Sequence, residues 1–285
     1  MKIKNWLILL GSILVLVVVS VGLHTYNAQS QKKAPTQITI GSQGSDYDVW
    51  QHIAASKEAK QLNLKLNVKQ ISDGVQLNNA TSENNINVNA FQSYAYLMAY
   101  NKENPHNKLA PLGTTYLEPM GIYSDKYHSL KQIPAGATIA IANNPANTAR
   151  GLLLLQDAGL IKLKKNFGSL GNTTDISANP RNLKFKEIDD TTGPRVLNSV
   201  DAALISNTVA LEGKLNVLKD SLYHEKVNQS TRENINILAT AADNKNNPAF
   251  KKLVKLYHSP SIQRYIKQKY QGTKIEVQKP LSYLK

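Results

Sequence analysis

The stretch ATIAIANNPANTARGLLLLQDAGLIKL, residues 137–163, decides the fold. Its opening, ATIAIAN, is a short apolar run that reads as a buried strand. The remainder reads as a helix. Asn144 or Asn147 caps its start, Pro145 suits a first turn, and Leu152, Leu153 and Leu155 supply an apolar face. A strand running into a helix is the unit of which α/β proteins are built. The same stretch raises a chemical question at Arg150. This reading sets the cation in the first turn, where the helix dipole disfavours positive charge. A guanidinium beside free backbone N–H groups is nevertheless a good receptor for a carboxylate. A solvated arginine on a surface helix is the plain alternative.

Outward from this stretch, strand and helix patterns keep alternating. ITIGS (38–42) reads as a strand, followed by a Gly/Ser/Asp loop and a helix around VWQHIAASKEA (49–59). LNLKLNVKQI (62–71) alternates as a half-buried strand does. A short apolar run at Val88 and a helix near 93–100 lead to LGTTYL (112–117) and MGIYS (120–124). Beyond the quoted stretch come a strand LKFKEI (183–188), a helix over 192–199, a strand AALIS (202–206) and a helix around Ala210. The strand NINILAT (234–240) and two C-terminal helical segments complete the chain. This alternation predicts parallel sheets covered by helices. The strands on either side of Pro119 read as a crossover, with a return in the polar segment 221–234. The expected architecture is α/β with two lobes and a cleft between them: residues 37–118 plus 228–285 in lobe 1 and 119–227 in lobe 2. Clefts at such interfaces are the usual home of small ligands.

The chain has 285 residues, enough for two cores. It contains no cysteine, which excludes disulfides, thiolate metal sites, cysteine nucleophiles and a lipid-modified cysteine. Its net charge is +14, from 34 Lys+Arg against 20 Asp+Glu. The lysines are spread along the chain without a helix-turn-helix, zinc-finger or RRM signature, so nucleic acid is not the expected partner. A basic surface facing an anionic cell envelope accounts for the charge. Near the N-terminus, Lys2 and Lys4 precede the uncharged run WLILLGSILVLVVVSVGL, residues 6–23. At about 1.5 Å per residue it spans roughly 27 Å, close to a bilayer core. Residues 1–28 therefore read as a signal peptide or a signal anchor, with everything after Leu23 outside. Tyr26 makes Ala28 a poor cleavage point, which favours an uncleaved anchor and a protein on the outer face of the membrane, secreted if cleaved. Residues 24–36, polar and without periodicity, read as a tether.

Catalytic and metal motifs are not found. The six histidines (24, 52, 106, 128, 224 and 258) are scattered, with no HExxH and no pair at metal spacing. GSQGSD (41–46) lacks both P-loop and GxGxxG spacing and reads as a turn with Asp46 as a helix cap. There is no GxSxG elbow. Asp189 and Asp190 are adjacent and diverge, so a helix cap is preferred to a catalytic pair. The expectation is a protein without catalytic residues, metal or cofactor.

NAFQSYAYL (89–97), PMGIYS (119–124), the block 143–163, NPRNLKFKEI (179–188) and the late block Asp243–Tyr257 together resemble a family. It is that of the methionine-type substrate-binding lipoproteins of ABC importers (MetQ/NlpA), and the resemblance runs from about Gln37 to the C-terminus. It implies two lobes of the periplasmic-binding-protein type that close on a small ligand and deliver it to a permease with its ATPase subunits. Arg150 matches the arginine that grips the ligand's α-carboxylate, and Asn147 a polar position at the same helix start. Phe91, in N-A-F-Q with Gln92, matches the aromatic that packs on the ligand, and Tyr116 is expected to pack there too.

Other positions depart from the family. Ser93 stands where the family has histidine, and Gly74 where it has tyrosine. Glu118 replaces an aromatic before the crossover proline. Ser206 and Thr208 stand for asparagines and Val209 for a tyrosine, although a one-residue shift would give Asn207 the amine-binding role. Small residues at 74, 93 and 209 predict a pocket stripped of its aromatic wall, suited to a different amino acid or a small peptide. Glu118 is expected to meet a ligand ammonium, or else to lie solvated at the hinge. The family's lipidated cysteine is missing, so a membrane helix would serve as the anchor. The expected function is an extracytoplasmic solute-binding protein. The alternative is an envelope or adhesive protein that keeps the fold without transport.

Overall fold

Caps and buried apolar runs cut the chain into short elements in the computed structural model, which describes residues 34–226 and 229–285. The membrane-helix reading and nearly all of the tether fall on residues outside the described ones. Among the described residues no helix is long and apolar enough to cross a membrane. In chain order the first elements are β1 (Thr36–Ser42), α1 (Gly44–Ala55), α2 (Lys57–Gln61), β2 (Leu64–Gln70), α3 (Gly74–Ser82), β3 (Val88–Ser93), α4 (Tyr94–Glu103), β4 (Leu109–Thr114) and β5 (Tyr116–Leu117). There follow β6 (Gly121–Tyr123), β7 (Thr138–Ala142), α5 (Pro145–Asp157), β8 (Lys162–Leu163), β9 (Ile176–Ala178), β10 (Lys184–Ile188), α6 (Gly193–Val196), β11 (Ala202–Ile205), α7 (Asn207–Glu212) and β12 (Tyr223–His224). The last are β13 (Asn236–Ala241), α8 (Pro248–Tyr257), α9 (Pro260–Lys269) and β14 (Ile275–Glu276), with 3-10 turns between several of them.

Two five-stranded sheets organise these elements, one in the order β2-β1-β3-β13-β4 and the other β10-β7-β11-β6-β12. The expectation of parallel sheets needs correction, because both are mixed. β1 pairs parallel with β3, and β7 parallel with β10 and β11. In contrast, β13 runs antiparallel to β3 and β4, and β6 antiparallel to β11 and β12. The antiparallel strands are those through which the chain enters one sheet after leaving the other. They arrive without a covering helix to reverse them, so they pair in the opposite sense. The outward passage lies between β4 and β6, and the return between β12 and β13.

Helix starts are set by side-chain caps. Asp73 accepts from the Gln76 amide, Ser93 from that of Tyr96, Asn144 from that of Asn147 and Asn247 from that of Ala249. Each sheet has its own core. Ile38, Ile40, Val88, Trp50 and Leu253 pack on the first, and Ile122, Ile139, Leu152, Leu155 and Leu204 on the second. Full burial of one such side chain contributes about 1.5–3 kcal/mol. On α5 the apolar face differs from the expected one: Leu154 is buried and Leu153 is 39% exposed. Four consecutive leucines cannot all face inwards on a helix that turns by about 100° per residue.

Candidate ligand-binding site

A cavity of about 90 Å³ is lined by residues attached to both sheets. Gln43, Ser72, Gly74, Phe91, Gln92, Ser93, Tyr96 and Asn236 contribute from the first, and Asn147, Arg150, Asp190, Thr191, Ser206, Thr208 and Val209 from the second, with Glu118 on the passage between them. One water needs about 10–15 Å³, so this is room for a small organic molecule. A wider groove of about 1040 Å³ shares Gln43, Gly74, Tyr96 and Asp190 with the cavity and forms its outer reach. Among the described residues no group of three or more His, Asp or Glu side chains converges as a metal site.

Arg150 is where the structure departs furthest from the sequence reading. Asn144 is the cap and Pro145 the first helical residue, so Arg150 is the sixth and lies in the second turn. Two amides at the helix start are already used: Asn147 N–H bonds to Asn144 Oδ1 at 2.9 Å and Thr148 N–H to Asn144 O at 2.9 Å. The guanidinium is also engaged. Its Nε donates to Glu225 Oε1 at 2.8 Å, and its Nη2 to Glu225 Oε2 at 2.5 Å and to the Glu118 carbonyl at 2.7 Å. Burial opposes the charge on Arg150, but Glu225 beside it outweighs burial and holds the pKa above its ordinary value. Glu225 in turn accepts from the Met120 amide at 2.9 Å and from Asn234 Nδ2 at 3.1 Å. Arg150 thus braces both passages of the chain between the sheets. Among the described residues, none of these three bonds uses Nη1.

Glu118 is neither solvated nor free for a ligand ammonium. It is 5% exposed, and its carboxylate accepts from Asn207 Nδ2 at 2.8 Å, Thr208 Oγ1 at 2.5 Å and Lys274 Nζ at 3.0 Å. Burial would raise its pKa, but Lys274 and the two neutral donors reverse this and hold it below the ordinary value. Lys274 also donates to Asp46 Oδ1 at 2.9 Å, and Tyr116 donates its hydroxyl to Asp46 Oδ2 at 2.5 Å. Asp46, expected as an N-cap, is a buried partner instead, and its carboxyl is pushed up by burial and by nearby Glu118. Tyr116 belongs to this cluster and is not among the residues lining the cavity. Asn207 is fully buried there as well, held by Glu118 and 3.3 Å from Thr273 Oγ1.

The aromatic wall survives in another form. A Cβ on Gly74 would lie 2.9 Å from Phe91 Cε2 and 2.9 Å from the Tyr96 hydroxyl, so these two rings occupy the space beside Gly74. They meet edge to face at 5.8 Å. Burial, with help from Asp190 and Asp73, pushes the Tyr96 hydroxyl pKa upwards, which keeps it protonated. Ser93 caps α4 at the cavity edge. Gln92 lines the cavity but is held in a buried amide cluster, donating to Asn78 at 2.7 Å and to Asn89 at 2.8 Å. Ser206 is the N-cap residue before α7, and its side chain makes no cap bond there.

Asp190 was singled out in the sequence only as half of a pair. Asp189 does act as a cap, accepting from the Thr191 amide, while Asp190 faces the cavity. Asn144 and Asn147 both donate to Asp190 Oδ2, at 2.6 and 2.8 Å. Sequence reasoning missed Tyr96, Glu225 and Lys274. Tyr96 lies inside the quoted NAFQSYAYL, whereas Glu225 and Lys274 stand in polar segments without any pattern.

Residues 38–278 match the NlpA lipoprotein family. The methionine-binding lipoprotein MetQ of Bacillus subtilis is 37% identical over 235 residues, covering 79% of this chain and 84% of that protein. A probable D-methionine-binding lipoprotein MetQ of Pasteurella multocida is 32% identical over 246 residues, covering 86% of this chain and 87% of its own. Among solved structures, a nutrient-binding protein of Burkholderia cenocepacia bound to methionine superposes with a TM-score of 0.78 at 38% identity. That alignment covers 84% of this chain and 99% of the other.

Proposed function

The chain belongs to the NlpA lipoprotein family, and from that membership we propose that it is an extracytoplasmic substrate-binding protein of an ABC importer. It binds an amino acid or small peptide without catalysis and delivers it to a membrane permease. The observation that carries this reading is the cavity walled from both sheets, since a site of this kind forms and opens with the distance between its walls. In this account residues 37–118 plus 228–285 form one lobe and 119–227 the other, closing about Glu118–Pro119. Phe91 and Tyr96 pack against the ligand's apolar part. Arg150 presents Nη1 to the carboxylate while Glu225 fixes its other edge, which gives a receptor oriented before the ligand arrives. Ser93, Asn147, Ser206 and Thr208 supply polar contacts around it. The protein stands on the outer face of the membrane, with residues 6–23 as its anchor, because this sequence has no cysteine to carry a lipid.

Thermal unfolding of the full-length chain against the amino acids and a dipeptide panel tests the reading. A ligand at a hundred times its Kd adds about 2.7 kcal/mol and raises the midpoint by a few degrees. The shift should vanish in Gly74→Val, whose side chain enters the cavity from beside Phe91 and Tyr96. A second reading, an envelope protein that keeps the fold without transport, is favoured by one observation. Glu225 already neutralises Arg150, so a buried arginine here needs no ligand to be tolerated. No shift with any compound would support it.

A further inference from the structure

The charges around the cavity do not balance. Arg150 is matched by Glu225, and Glu118 is matched by Lys274. Among the described residues Asp190 has no such partner: the side chains donating to it are the neutral amides of Asn144 and Asn147. Burial pushes its carboxyl above the ordinary range, against the pull of those two amides. On the first-sheet side of the same cavity, Gln43 Oε1 is buried and accepts no hydrogen bond. A carboxylate without a cationic partner and an amide oxygen without a donor thus line one small space. The adjoining groove repeats the sign. Five carboxylates, Asp190 among them, line it against two cations, Arg195 and Lys269, although the chain as a whole has 34 basic and 20 acidic residues. A carboxylate alone would bring a second anion into a cavity whose one guanidinium is already neutralised.

We propose that Asp190 and Gln43 form an ammonium-binding pole, and that the ligand is a primary amine whose cationic group supplies the charge this cavity lacks. The inference rests on the binding-protein reading and adds the class of ligand to it. Asn147 and Arg150 are three residues apart and share one face of α5. Asn147 donates to Asp190, so the ammonium pole lies one helical turn before the guanidinium. A molecule lying along the start of α5 would then direct its ammonium towards Asp190 and its carboxylate towards Arg150. The amine is either the α-amino group of an amino acid or peptide or the side-chain amine of a basic amino acid. An anionic groove on a basic protein would also draw cations to the cavity in preference to the rest of the surface.

Isothermal titration of the full-length chain with two matched pairs tests this. Methionine against N-acetylmethionine varies the α-amine, and lysine against norleucine varies the side-chain amine. The member bearing the amine should bind at least about tenfold more tightly in one pair, as expected for a charge-assisted hydrogen bond. The pair that discriminates identifies which amine is read. In Asp190→Asn, which keeps an acceptor oxygen for Asn144 and Asn147, that ratio should fall towards one. A ratio unchanged in Asp190→Asn, or N-acetylmethionine and norleucine each binding as well as its partner in the wild type, overturns the inference and leaves the binding-protein reading intact. No binding by any member, nor by any amino acid or dipeptide of the thermal panel, refutes both.

Discussion

Arg150 and Glu225 stand 75 residues apart in sequence and form a buried, two-pronged ion pair. Arg150→Ala would strand the Glu225 carboxylate, at a cost of about 3–5 kcal/mol. Chemical denaturation should register that loss before any ligand is added, and the double variant Arg150→Met, Glu225→Leu should lose much less. Equal losses in both would mean that the arginine's packing, and not the pair, supports the crossover. For this reason Gly74 is the better position for a binding probe. Gly74→Ala places a methyl 2.9 Å from Phe91 and from Tyr96, so ligand affinity should fall while the fold persists. Arg150 was legible in the sequence as a special residue, but its setting was not. With Asn144 and Asn147 both able to cap, the helix start was uncertain by a turn, and that turn decides whether Arg150 meets free amides. Glu225 was invisible, because a single glutamate in a polar segment carries no period or motif.

At the scale of elements, strands and helices were read well where a strong pattern existed. β1, β7, β11 and β13 follow apolar runs, β10 follows an alternating one, and α5 follows a cap, a proline and leucines. α3 went unread because GVQLNNATS is mostly polar, and only the Asp73 cap marks it. Strand direction was missed for a different reason: it depends on how the chain passes between the sheets, which local periodicity does not encode. Asn144 ties both scales together, capping α5 and bonding to Asp190. Asn144→Ala should therefore cost about 1–2 kcal/mol in unfolding experiments. It should also loosen Asp190, so that ligand affinity falls alongside stability. A loss of stability with unchanged affinity would limit Asn144 to capping.

Across the whole molecule, the Asp46–Lys274–Glu118 cluster joins the first sheet's helix α1 and the C-terminal segment to α7 beside the second sheet. Glu118 has a folded pKa below its ordinary 4.5. Its contribution to stability is accordingly complete above pH 4.5 and is lost as pH falls through the lower folded value. Asp46, with a raised pKa, has the opposite sign: its contribution is complete below its ordinary 3.8 and fades as pH rises through the folded value. The acid limb of the stability profile should therefore become shallower in Glu118→Gln and steeper in Asp46→Asn, as read by unfolding midpoints between pH 3 and 6. Parallel limbs in all three proteins would remove the cluster from the acid response. The central claim, that the cavity between the two sheets holds a small ligand, is tested most directly by titrating the full-length chain and Gly74→Val with amino acids and dipeptides in a calorimeter. The account predicts saturable binding at one site per chain for at least one amine-bearing compound, lost in the variant. Saturable heat from none of them, or heat that Gly74→Val leaves unchanged, would contradict it.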